Sequence, residues 1–220
     1  MFALLRQRNY ALLWSSQLVS MTGTWALFAA LPFFVFQLTG SVLATGIMFF
    51  VEVIPPILLG SVAGVFVDRW DRRWTMIGAN VTRGLLLLLL LAFRSAEQVW
   101  IVYVVAFLES VANLFFGPAN NALLPQLVGK DELVTANSLD ALGENVARIL
   151  GPALGGALLA SLGLTAVALI DVASYLIGGL LIYFINVSAV QRAASDKSIR
   201  AEWVGFWREW IEGLRLVLQN

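Results

Sequence analysis

Apolar runs of about 20 residues, set nearly end to end and parted by short turns, dominate this 220-residue chain. A helix needs about that many residues to cross the hydrocarbon core of a bilayer. Lipid offers the backbone no hydrogen-bond partners, so a spanning segment must satisfy its own, as a helix does. The expected fold is therefore all-α and integral to the membrane. Six transmembrane helices are read at residues 11–38, 42–67, 74–93, 99–124, 137–162 and 164–187. The first is long enough to tilt. Pro55-Pro56 should kink the second, Gly117-Pro118 interrupts the fourth, and the leucines of 85–91 are expected to face lipid. Thr39-Gly40-Ser41 and residues 94–98 read as turns on one side, and residues 125–135 as a turn on the other.

Residues 1–190 form the expected bundle, and 191–220 differ in kind. There Trp203, Phe206, Trp207, Trp210, Ile211 and Leu214 recur at helical spacing against Arg208, Glu209, Glu212 and Arg215. That pattern describes an amphipathic linker helix lying on the membrane surface. Pro56…Gly60 in the second span is echoed by Pro152…Gly156 in the fifth, which suits two three-helix units of inverted topology.

Composition narrows the function. Hydrophobic residues make up 60% of the chain and mean hydropathy is +0.83, above the roughly half-apolar make-up of soluble domains. Formal net charge is +0, which gives no bulk attraction to nucleic acid. The absence of cysteine excludes disulfides and thiol chemistry. Without histidine, a proton step near neutral pH falls to buried carboxylates. No glycine-rich phosphate loop is present. Neither an enzyme nor an ATP-driven pump is indicated, and no cofactor or metal is called for. The first apolar run is too long for a removable signal peptide and lacks a small-residue cleavage site.

Orientation follows from the 14 lysines and arginines. Arg6, Arg8, Arg69, Arg72, Arg73, Lys130, Arg192, Lys197, Arg200, Arg208 and Arg215 share one side. Arg94 lies on the other, and Arg83 and Arg148 fall within spans. The positive-inside tendency then places both ends of this segment in the cytoplasm. The densest group of charges is the loop Gly64-Val-Phe-Val-Asp68-Arg69-Trp-Asp71-Arg72-Arg73 between the second and third spans. Gly64 should let a neighbouring helix approach closely. Asp68 and Asp71 sit where the next helix begins, which favours carboxylates. The three arginines supply charge for lipid headgroups, for Asp68, or for a facing helix terminus.

This Gly-x-x-x-Asp-Arg-x-x-Arg-Arg pattern resembles the signature loop of the major facilitator superfamily, with Asp71 standing where the family usually has glycine. The resemblance implies a gate in which the loop, through Asp68, helps latch two halves of a transporter. The fifth span adds a second likeness. Gly143 and Gly151-Pro152-Ala-Leu-Gly155-Gly156 resemble the antiporter motif of the superfamily's drug exporters. Physically, such glycines permit close packing against a partner helix beside a proline bend.

Ionisable residues inside the spans are the remaining candidates, because each costs about 2.5–3.5 kcal/mol at mid-membrane on insertion scales. Glu144 and Arg148 have the i, i+4 spacing and order of a structural ion pair, the alternative for them being a substrate and proton site. Glu109 and Glu52 lack a basic partner on their own helices and are the candidates for proton or substrate binding. Asn113 shares the face of Glu109. Arg83 and Arg148 stand in for the arginine that many drug-exporting relatives carry in span four. Asp171 caps a neighbour or pairs with Arg148. Gln17, Met21, Thr24 and Phe28 form a stripe suited to a solute cavity or to ordinary packing.

Residues 116–139 and the terminal Arg208-Glu-Trp-Ile-Glu-Gly213-Leu-Arg look like the corresponding regions of enterobactin-type and macrolide-type exporters. That implies the amino-terminal half of a secondary transporter in a bacterial cytoplasmic (inner) membrane, multi-pass, exporting drug-like or siderophore-like solutes against protons. Its partners would be the lipid bilayer, the solute and protons, and a missing carboxy-terminal half or another copy of itself. The alternatives are a truncated non-transporting scaffold, a homodimerising half-transporter, and an importer of the same fold.

Overall fold

The structure is a computed structural model that describes residues 2–67, 69–93 and 95–186. Asp68, Arg94 and the expected linker helix at 191–220 lie outside the described residues. Six α-helices appear among the described residues: α1 (Arg8–Thr39), α2 (Val42–Val67), α3 (Arg72–Leu88), α4 (Val99–Asn113), α5 (Phe116–Leu127) and α6 (Leu133–Tyr183). No strand occurs among the described residues. Five helical stretches among the described residues are long and apolar enough to cross a membrane: Arg8–Thr39, Val42–Gly60, Arg72–Ala92, Ala96–Leu127 and Lys130–Tyr183.

Local chemistry sets the boundaries. Gly40, at φ 64°, ends α1 in the left-handed conformation that glycine adopts readily, and its N–H returns to the Phe36 carbonyl at 2.8 Å. Asp71 caps α3 by accepting the Trp74 N–H at 3.0 Å. The break in the fourth span falls at residues 114–115, just before the expected Gly117-Pro118. Pro118 instead occupies the first turn of α5, where its missing N–H leaves no helical bond unmade. The leucine run also differs from expectation. Leu85, Leu88 and Leu89 are exposed, but Leu87 and Leu90 are buried, because helical periodicity turns part of any such run inward.

One residue inside the 51-residue α6 departs from helical geometry: Gly163, at φ 79° and ψ 177°. Before it, Gly143 meets Trp14, and Gly151 and Gly155 meet residues 22–26 of α1. After it, Asp171 lies against Gly23 and Gly178 against Ser20 and Ser16. The two parts of α6 thus follow α1 in opposite directions.

These contacts sort the glycines. A Cβ on Gly151 would come within 3.0 Å of the Ala26 nitrogen and the Thr22 carbonyl, and one on Gly155 would overlap the Ala26 backbone. Gly143 sits 3.3 Å, measured the same way, from the Trp14 indole nitrogen. Gly156 and Gly64 face open space. The close approach expected at Gly64 and at Gly156 is therefore not made among the described residues. Gly156 is exposed and Gly64 is half-buried.

The interior is layered. One apolar cluster gathers Leu27, Leu31, Val35, Leu87, Val102 and Val167, and another gathers Leu13, Met76, Leu123, Leu139 and Ile182. Along α1, α3 and α6 the residues between these clusters are polar and buried: Ser16, Ser20, Asn80, Arg83, Asp171 and Ser174. At the end of α6, Arg73 donates from Nε to the Ile182 carbonyl at 3.2 Å and from Nη2 to the Tyr183 carbonyl. It thereby adds a side-chain donor to carbonyls at a helix terminus, where intrahelical donors run out, a contact of the kind considered for the loop arginines.

Gly155→Ala should lower the unfolding midpoint in detergent by the equivalent of about 1–3 kcal/mol, and Gly156→Ala should stay near wild type. Equal behaviour of the two would remove the backbone contact from the account. Arg73→Ala should destabilise by about 1–2 kcal/mol in the same assay, with lysine restoring only part, because one ammonium does not reproduce the two-pronged contact.

Candidate functional site

Arg83 of α3 is 2% exposed. Its Nε donates to Glu109 Oε1 at 2.7 Å, and its Nη2 donates to Thr24 Oγ1 at 2.8 Å and to the Tyr175 hydroxyl at 2.5 Å. Tyr175 in turn donates to the same Glu109 oxygen at 2.7 Å, and Thr24 donates to the Ser20 carbonyl at 2.8 Å. The guanidinium carbon lies 4.1 Å from the centre of the Tyr175 ring. Four helices, α1, α3, α4 and α6, each contribute a side chain. These added contacts matter, because a buried ion pair offsets its desolvation only as its remaining hydrogen-bonding capacity is met.

Beside this centre lies a cavity of about 390 Å³ between α1, α2 and α4. Thr24, Trp25, Phe28, Glu52, Glu109 and Asn113 are among its lining residues. The position of Glu52 follows from the sequence. Pro56 has no N–H to give the carbonyl four residues earlier, so the Glu52 carbonyl is freed from its helical bond. The Ser110 hydroxyl donates to it instead at 2.8 Å. That bond ties α2 to α4 one residue from Glu109 and sets the two carboxylates in one cavity. One oxygen of Glu52 is buried with no hydrogen-bond partner among the described residues.

Glu52, Glu109, Arg83 and Asn113, four of the expected intramembrane residues, are thus brought together. Others are placed elsewhere. Asp171 is 1% exposed; its Oδ1 accepts from Ser174 at 2.9 Å and occupies the space that Gly23, lacking a side chain, leaves open. It does not pair with Arg148, the partner considered for it. Nor do Glu144 and Arg148 form the expected ion pair. Both are exposed, and the Arg148 guanidinium sits 5.5 Å from the Trp25 ring centre. The aromatic face of α1 competes with the carboxylate of Arg148's own helix and takes the cation. Gln17, Gly143 and Glu144 line a shallow crevice with Trp14, apart from the cavity. Of the loop residues, Arg69 and Asp71 border an apolar groove of about 840 Å³ along α3 and α4. Arg72 begins α3, and Asp68 lies outside the described residues.

Tyr175 is the component that reading the sequence missed. A tyrosine in a long apolar run counts as hydrophobic, and only its place one residue after Ser174 and four after Asp171 set it on a polar face. Arg83 and Asp171 are fully buried, while Glu109 and Glu52 are half-buried on the cavity wall.

A family model described as "Transmembrane secretion effector" matches residues 1–217. Macrolide efflux protein A of Streptococcus pyogenes is 30% identical over 210 residues, covering 94% of this chain and 51% of that protein. The MFS-type transporter YfiS of Bacillus subtilis (strain 168) is 28% identical over 210 residues, covering 95% of this chain and 50% of its own. YvqJ of the same organism, also named an MFS-type transporter, is 25% identical over 218 residues. The chain spans about half the length of these curated relatives. It belongs to the transmembrane secretion effector family, within the major facilitator superfamily.

Proposed function

We propose that this chain is the amino-terminal half of a secondary transporter that exports organic solutes, drug-like or siderophore-like, across a bacterial cytoplasmic membrane in exchange for protons. The observation that carries the reading is the Arg83–Glu109 ion pair, buried beside a cavity of solute size. Asp171 stands four residues before Tyr175 on α6, and its Oδ2 is buried with no hydrogen-bond partner among the described residues, so a second carboxylate lies near Arg83. A proton arriving on Glu109 weakens that carboxylate's hold on Arg83 and shifts the guanidinium toward Asp171. Two arrangements of one cation between two carboxylates supply the bistable element that alternating access requires. The name of the S. pyogenes relative, a macrolide efflux protein, favours outward movement.

In this reading Gly163 divides α6 into two spans, so residues 1–190 hold six helices in two inverted sets of three, and 191–220 link them to a second half. Gly143, Gly151 and Gly155 seal the first part of α6 onto α1, with Pro152 beside them. The loop from Gly64 through Asp68, Arg69, Asp71, Arg72 and Arg73 acts as the cytoplasmic gate, and both ends of the segment are cytoplasmic. Gly60, Gly64 and Gly156 face open space, and Gly60 and Gly64 stand four residues apart on α2, a spacing that lets helices pack closely in membranes. These faces are fitted to the second half. Coverage of only half of each relative makes another copy of this chain the second reading for that partner.

Glu109→Gln should abolish proton-driven solute uptake into inverted vesicles while leaving the protein inserted and extractable; unchanged uptake would remove Glu109 from the mechanism. The polypeptide isolated from its native membrane should have an intact mass near twice 24.0 kDa. A mass of 24.0 kDa would favour pairing of two copies.

A further inference from the structure

We infer that Tyr175 is a positioning residue whose hydroxyl proton changes helix with the charge of Glu109. It is given to Glu109 on α4 while that carboxylate is ionised, and to Thr24 on α1 once the carboxylate is protonated. Such a switch rests on the proton-coupled reading above for its purpose; hydrogen-bond geometry carries the assignment.

A phenol has one proton to give. Two acceptors lie within its reach: Glu109 Oε1 at 2.7 Å and Thr24 Oγ1 at 3.1 Å. Thr24 does not supply the proton of the longer contact, because its own hydroxyl donates to the Ser20 carbonyl at 2.8 Å. It stands there as an acceptor, and takes Arg83 Nη2 as well. The Tyr175 oxygen is held in place from the other side, since Arg83 Nη2 donates to it and the guanidinium lies over its ring. The ring therefore stays fixed while the O–H turns. Tyr175 is fully buried, so bulk water offers no third acceptor.

Charge decides between the two. A hydrogen bond to an ionised oxygen is roughly twice as strong as one between neutral groups, so ionised Glu109 takes the phenol proton. Its Oε1 receives both Arg83 and Tyr175, and no donor meets Oε2 among the described residues. Glu109 lines the cavity, so a proton reaching it from there settles on Oε2. Oε1 then loses its charge, Arg83 keeps its bond, and Thr24 no longer competes with an anion. The O–H turns to Thr24, which releases α6 from α4 and ties it to α1. Around this centre the charged and titratable groups are Arg83 on α3, Glu52 on α2, and Asp171 and Tyr175 on α6, with Arg148 at Trp25. α1 presents the Thr24 hydroxyl and no charge.

The two acceptors give shifts of opposite sign. Glu109 protonation can be read directly from its carboxyl stretch, by infrared pH titration of the intact protein in detergent, assigned by its loss in Glu109→Gln. Tyr175→Phe removes a donor from the ionised form, so the midpoint should rise by about one pH unit, the scale of one hydrogen bond to a charge. Thr24→Val removes the acceptor that Tyr175 needs only in the protonated form, so the midpoint should fall. Loss of the Arg83–Thr24 bond is common to both forms and cancels. Thr24→Ser keeps the hydroxyl and should bring the midpoint back toward wild type. Midpoints that move in the same direction, or not at all, overturn the switch. In wild type the tyrosine C–O band should change with the same midpoint as the carboxyl. A tyrosine spectrum indifferent to that midpoint overturns the switch even where a variant fails to fold. Opposite shifts in a protein that exchanges no protons in vesicles would uphold the switch and remove the transport reading. Proton exchange with shifts of one sign would do the reverse.

Discussion

A guanidinium at the centre of a membrane bundle has to be fully engaged, and Arg83 shows what that requirement imposes on a chain. The ion cannot reach water through other helices, so Glu109, Tyr175 and Thr24 must arrive from three further helices. Those contacts fix the rotation of each helix about its axis. A polar layer results, with apolar clusters above and below it. In lipid, where apolar faces gain little by meeting one another, such polar and close-packed contacts carry the specificity.

Backbone chemistry delivers the groups to that layer. Pro56 frees a carbonyl that Ser110 then holds, which turns a proline defect into a crosslink beside the cavity. Gly23 leaves room for the Asp171 carboxylate, and Gly151 and Gly155 let α6 lie directly on the α1 backbone. Gly163 takes a conformation that few other residues adopt, so that α6 can follow α1 in both directions. Rigid packing along the α1–α6 seam and open faces at Gly60, Gly64 and Gly156 coexist in one chain.

Much of this was legible in the residues. Run length and turn chemistry put α2 at Val42–Val67, as read, and Gly40 and Asp71 end and begin helices where expected. The ionisable set around the cavity was visible because charges are rare in such runs. What spacing on one helix could not reveal was the partner across the bundle. Glu144 and Arg148 have ideal separation for a pair, yet Trp25 from another helix takes the arginine. Glu109, with no basic neighbour on its own helix, is the carboxylate that is paired. Gly155 and Gly156 are adjacent and identical in type, and only the position of α1 makes one indispensable.

The most direct test is a double-mutant cycle on Arg83 and Glu109, read as unfolding free energy of the membrane protein. Arg83→Met and Glu109→Gln are each predicted to cost about 3–5 kcal/mol, since each strands a buried partner. The double variant should recover much of that loss, leaving a coupling of at least about 1 kcal/mol. Additive losses in the double variant would contradict the account, because Arg83 and Glu109 would then be stabilised independently.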